Sequence, residues 1–181
     1  MTHGVGGGEP RADLVKRILL YGALILVVGS AQCGFFATLS LCPATPDLVL
    51  GVLCAIALLD SGKTAMIAAI PAGFFMDAIG GSGIALLPLV YFLIITCIGS
   101  LATKLLPRFL SYVVLLLPSI LLRALLTLAQ LFLAHRAMPN LGTLTDILLP
   151  EMLCTLIVCL PLYALTRLVR IPLIKKSRFS F

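Results

Sequence analysis

Six apolar runs, separated by turns too short to fold alone, constrain this chain more than any other feature. They are Ile18–Leu41, Leu48–Leu59, Thr64–Ile79, Ile84–Thr103, Phe109–Ala134 and Ile147–Leu168. An α-helix rises about 1.5 Å per residue, so roughly 20 residues cross a hydrocarbon core of about 30 Å. Runs one, four, five and six meet that length, whereas runs two and three fall short of it. The composition agrees with a bilayer solvent: 61% of the 181 residues are hydrophobic, 11% are charged, and the mean hydropathy is +1.18. Soluble domains are about half apolar and about a quarter charged. A soluble globule and a disordered chain are both excluded.

The placement of the cations orders the runs across the membrane. The net charge is +6, but no basic stripe suits a nucleic acid. Arg11, Lys16 and Arg17 precede run one, and Lys63 sits in the turn between runs two and three. Lys104 and Arg108 lie between runs four and five; Arg167, Arg170, Lys175, Lys176 and Arg178 follow at the end. All of these fall on one side if the runs alternate, and Arg136 stands alone on the other. Cytoplasmic loops collect Lys and Arg, so the pattern predicts an all-α integral membrane protein of six transmembrane helices with both termini inside. A re-entrant hairpin made of the short runs two and three, entering from the outer face, would leave every other orientation unchanged and stays open beside six spans. Residues 1–17 are expected to form a short cytoplasmic tail, 18–168 one polytopic membrane domain, and 169–181 a basic cytoplasmic tail. Run one continues past a weak small-residue site at Gly29–Ala31 and reads as an uncleaved span.

The polar residues inside the apolar runs are the candidate functional groups. Arg123 lies about 14 residues into run five, roughly 21 Å along the helix. A lone cation at such depth costs ~2.5–3.5 kcal/mol on insertion scales. Either it snorkels to headgroups, or it meets a partner, for which Asp77 and Glu151 are the candidates. Asp47, just before run two, suits a helix cap. Asp77 sits near the C-terminal end of run three, a poor place for an anion. Gly80, Gly81 and Gly83 then allow a tight outer turn. Gln32 needs a hydrogen-bond partner within the membrane. Ala65, Ala69 and Gly73 form a small-residue ridge for close helix packing. Pro71 and Pro118 suggest bends. Ser61-Gly62-Lys63-Thr64 looks like the end of a phosphate loop, but lacks the earlier glycine and the strand; it reads as a turn with Asp60 beside Lys63. Tyr21 and Tyr112 are expected at headgroup depth. Neither the six widely spaced cysteines nor the distant His3 and His135 suggest a metal site or a disulfide framework. No constellation of polar groups suits catalysis or a cofactor.

Together these residues resemble the bacterial rod shape-determining protein MreD family. The likeness rests on Gln32 in span one, Pro46-Asp47-Leu48 after a short loop, Gly73 with Asp77 four residues later, the stretch from Asp77 through Gly80 and Gly83 to Tyr91, and Pro161, Tyr163 and a basic tail at the end. It covers about residues 15–175 and is most specific from Pro46 to Tyr91. The resemblance implies a non-enzymatic scaffold or regulator of the elongation machinery in the cytoplasmic (inner) membrane, supporting lateral peptidoglycan synthesis and rod shape. The implied partners are membrane lipid, an MreC-like protein, MreB filaments, a RodA-like glycosyltransferase and a class B penicillin-binding transpeptidase, with no small-molecule substrate. Gln32, Asp47, Gly73, Asp77, Gly83, Arg123 and Glu151 are then structural or partner-contact candidates. For Arg123 the physical argument stands alone. The six-helix arrangement is also similar to the substrate-binding components of energy-coupling-factor vitamin transporters. That alternative implies a polar outer pocket, which Asp47, Asp77, Arg123 and Glu151 would line.

Overall fold

A computed structural model describes residues 11–36, 46–80, 86–102, 104–106, 109–135 and 149–177. Each of the six apolar runs contributes one helix, and no strand occurs among the described residues. Helix α1 spans Arg11–Ala31 and loosens into a π-helical turn at Gln32–Phe36. Helices α2 (Leu48–Leu59), α3 (Gly62–Gly80) and α4 (Leu87–Ala102) follow. Helices α5 (Phe109–His135) and α6 (Leu149–Ser177) complete the helices among the described residues. Three segments are long and apolar enough to cross a membrane: Val15–Phe35, Phe109–Ala129 and Leu149–Arg170. Run four, expected to be of spanning length, yields a helix of 16 residues. Large apolar side chains point outward from the outer helices, including Leu19, Val27, Ile67, Leu110, Leu121 and Ile157. Lipid tolerates such a surface, whereas water does not.

Helix α2 is the axis of the bundle. All twelve of its residues are buried, and it touches each of the other five helices. Its shortness therefore involves no mismatch with lipid, because it meets none. In lipid, burial of apolar surface drives helix association little; close packing and polar contacts must do it. Glycine supplies the close packing. A Cβ on Gly51 would lie 2.5 Å from the Cys159 sulfur, so α6 sits directly on the α2 backbone. A Cβ on Gly73 would collide with the Pro88 backbone, and one on Gly62 would lie 3.1 Å from the Gly99 backbone. These two contacts clamp α3 and α4 as an antiparallel pair. Ala65, Ala69 and Gly73 are all buried, so the small-residue ridge packs inside the molecule.

The turn between α2 and α3 is a helix start, not a phosphate loop. The Asp60 N–H closes α2 on Ile56 O at 2.9 Å, and the Ser61 hydroxyl accepts the Thr64 N–H at 3.2 Å. Asp60 pairs with Arg17 of α1 at 3.2 Å rather than with Lys63, which is exposed. The start of α2 lies beside Gln32 and its end beside Arg17, so α2 runs back along α1.

Other expectations change. Tyr21 and Tyr112 face inward and are buried in the bundle; the Tyr112 hydroxyl donates to Cys159 O at 3.0 Å and Gly51 O at 3.2 Å. Helix α6 continues through residues 169–177, into the basic C-terminal segment. Cys54 and Cys159 are buried free thiols, but Cys154 is disulfide-bonded, which the cysteine spacing did not foretell.

Glycine substitutions separate tight from open contacts. Gly73→Val is expected to lower stability by about 1–3 kcal/mol, as overpacking does. Gly22→Ala, whose Cβ would meet nothing within 4 Å, should leave stability unchanged or raise it by about 0.5–1 kcal/mol. Thermal unfolding in detergent compares the two.

Candidate functional site

A helix that begins inside a protein has an unsolved hydrogen-bond problem. Its first four N–H groups lack intrahelical acceptors, and leaving one unmet in a buried site costs about 1–3 kcal/mol. Two side chains solve this for α2. Gln32 Oε1 accepts both the Leu48 N–H at 2.9 Å and the Val49 N–H at 3.2 Å. Asp47 Oδ1 accepts the Leu50 N–H at 3.1 Å as the N-cap. The partner that Gln32 required is thus the α2 backbone, and the π-helical turn that begins at Gln32 ends α1 beside it.

Asp47 is then held from three further helices. Its N–H donates to the Thr155 hydroxyl of α6 at 3.0 Å, and the Cys159 thiol donates to its carbonyl at 3.6 Å. The Tyr91 hydroxyl of α4 donates to Oδ1 at 2.8 Å. Arg123 of α5 places Nε 3.2 Å from Oδ2. Those last two atoms are buried and have no hydrogen-bond partner. The contact is therefore an ion pair without directed hydrogen-bond geometry. The guanidinium also lies 5.6 Å from the Tyr91 ring centroid, within cation–π range. Tyr91 thus serves both charges, its hydroxyl the carboxylate and its ring face the cation. The Asp47 side chain is 5% exposed and that of Arg123 19%.

The ion pair corrects the partner expected for Arg123. Asp77 Oδ2 instead accepts the Leu87 N–H at 3.1 Å, where α4 begins. An anion poorly placed at the end of α3 is well placed at the positive start of α4. Glu151 sits in the first turn of α6 and lines the small cavity beside Arg123, but no ion pair joins the two among the described residues. Gly73 is the contact with Pro88, beside the Leu87 N–H that Asp77 accepts. Gly83 lies outside the described residues, as do His3, Cys42 and the turn around Arg136.

The cavity between Asp47, Arg123, Glu151, Met152 and Thr155 measures about 10 Å³. That is the lower limit for a single water. A small-molecule site needs about 300–1,000 Å³. The cluster can lock helices together, but there is no room in it for a substrate. Nor do three or more His, Cys, Asp or Glu residues gather as a metal site among the described residues.

Several participants escaped sequence reasoning. Thr155 and Ser119 look like ordinary polar interruptions of apolar helices. Ser119 in fact meets the Cys54 thiol at 3.0 Å and also donates to Leu115 O. Thr155 and Cys159 are one turn apart, as are Asp47 and Gly51, and that matched spacing has meaning only once α6 is known to lie on α2. Comparison with known proteins finds no matching family model, no matching curated protein and no matching solved structure.

Two sets of variants test the lock. Arg123→Ala leaves the Asp47 charge buried and unpaired and is expected to cost about 3–5 kcal/mol. Adding Asp47→Asn should recover part of that loss, with a coupling of about 0.5–3 kcal/mol in a double-mutant cycle. Tyr91→Phe keeps the ring but loses a charge-assisted hydrogen bond, for a loss of about 1.5–3 kcal/mol. Equilibrium unfolding in mixed micelles gives all of these values.

Proposed function

We propose that the chain is a non-enzymatic scaffold or regulator of the bacterial cell elongation machinery, similar to MreD proteins, acting in the cytoplasmic membrane. It supports lateral wall synthesis by docking the transmembrane helices of an MreC-like partner and of the synthases. The observation that favours this reading is the closed polar centre. Its charged and polar groups hold α1, α2, α4, α5 and α6 to one another around only about 10 Å³. The residues behind the resemblance act in the same structural way: Gln32 and Asp47 cap α2, Tyr91 binds Asp47, and Asp77 caps the start of α4. A vitamin-binding transporter component would instead need those same outer carboxylates around an open pocket.

The topology that fits is six crossings with both termini inside. The α2–α3 turn reaches Arg17, at the basic beginning of α1, which suits a full crossing rather than a shallow hairpin. The bonded Cys154, in the second turn of α6, suits an outer, oxidising side for that end.

A gentle-detergent pull-down of the tagged chain from its native bacterium, followed by mass spectrometry, tests the function. Recovery of an MreC-like protein and the elongation synthases is expected. Recovery of a transporter coupling subunit with ATPases would replace the scaffold with a transport role.

A further inference from the structure

Helices α1 and α6 touch, and the start of one lies beside the end of the other. Arg17 and Arg170 both act electrostatically on the buried Tyr21 hydroxyl, so both charges are near it. Val169 packs on the core, and Thr166, one turn before Arg170, is fully buried. Arg170 is therefore half-buried at the α1–α6 seam. Lys16, next to Arg17, and Arg167, about one turn before Arg170, are exposed. The apolar stretches Val15–Phe35 and Leu149–Arg170 begin and end at these residues. That is the level at which hydrocarbon gives way to lipid head groups. Deeper along the same helices, Leu19 on α1 and Leu165 and Leu168 on α6 are exposed apolar side chains.

Charge is not balanced at this seam. Arg17 is paired with Asp60. No ion pair joins Lys16, Arg167 or Arg170 to an acid among the described residues. By sequence, Lys16, Arg17, Arg167 and Arg170 stand against Asp13 and Asp60, four cations to two acids. The three unpaired side chains all retain exposed surface, so a ligand at the membrane surface reaches them. An arginine fork holds phosphate oxygens bidentately, and a bilayer carries phosphates at this depth. A zwitterionic head group would bring its own ammonium against the excess cations. The complement is an anionic head group.

We propose that the α1–α6 seam binds an anionic phospholipid of the phosphatidylglycerol type, its phosphate held by Arg167 and Arg170 with help from Lys16, and its acyl chains along Leu19, Leu165 and Leu168. The site is separate from the Asp47 lock and stands whether or not the chain is a scaffold.

Native mass spectrometry of the purified full chain, titrated with phosphatidylglycerol or with phosphatidylcholine of identical chains, tests the proposal. The wild type is expected to retain the anionic lipid about tenfold better, the scale of one or two basic side chains at an anionic lipid surface. Arg167→Gln combined with Arg170→Gln should bring the two lipids within about twofold of each other. Lys63→Gln combined with Lys104→Gln removes the same charge from exposed positions in two turns of the chain and should leave the preference intact. Equal retention of the two lipids by the wild type would overturn the site. An equal loss in both double variants would do so too, because net charge rather than the seam would then attract the lipid. Crosslinking of an acidic protein segment, in place of lipid, from a photoreactive residue at position 167 in native membranes would also overturn it. If the Arg170→Gln protein does not fold, Arg167→Gln alone, at an exposed position, is compared with Lys63→Gln on the same criterion.

Discussion

The architecture depends on starting a helix in the dry interior of the molecule. Helix α2 has no lipid-facing and no water-facing side, so its leading N–H groups must find protein acceptors. Gln32 and Asp47 provide them from just before the helix. A carboxylate placed there is favoured by the helix dipole, but in an apolar interior it requires a cation. Arg123 is that cation, and Tyr91 and Thr155 complete the surroundings. Each polar residue is thus explained by the one before it. The chain of requirements ties α2 to α1, α4, α5 and α6 at one level of the bundle.

Close backbone packing does the rest. Gly51 brings α6 onto α2, while Gly73 and the Gly62–Gly99 contact bring α3 onto α4. Lipid competes with apolar side chains for apolar neighbours, so shape and hydrogen bonding distinguish the native arrangement from alternatives. A polar lock at one end of α2 and the Arg17–Asp60 pair at the other set the position of that helix along the bundle. The same division leaves the α1–α3 side loosely packed. There the Phe75 ring presses on Gly29, and a groove lies between the two helices from Arg17 to Phe75.

Much of this was legible in the residues. The six apolar runs became six helices, the ridge of Ala65, Ala69 and Gly73 became a buried seam, and Asp47 became the cap that its place before Leu48 suggested. Arg123 was recognisable as a cation in need of a counter-charge, because depth in an apolar run makes that need independent of the fold. Its partner was not recognisable. Asp77 and Glu151 are nearer the sequence expectation for an outer-level carboxylate, and Asp47 was already accounted for as a cap. A carboxylate with two oxygens can cap a helix with one and pair with an arginine through the other.

Local chemistry along the chain decided its helical, lipid-compatible character, the runs that became helices among the described residues, and which polar residues demanded partners. Those properties follow from hydropathy, helix rise and the cost of unmet polar groups, all of which act within a run or at its ends. Only the tertiary structure decided who answers each demand. It placed the short helix α2 at the centre, matched Asp47 to Arg123 across the bundle, turned Tyr91 toward both charges, and left a groove beside α1. Those outcomes depend on how helix faces meet, and residues 47, 91, 123 and 155 are joined by packing geometry rather than by spacing in the chain.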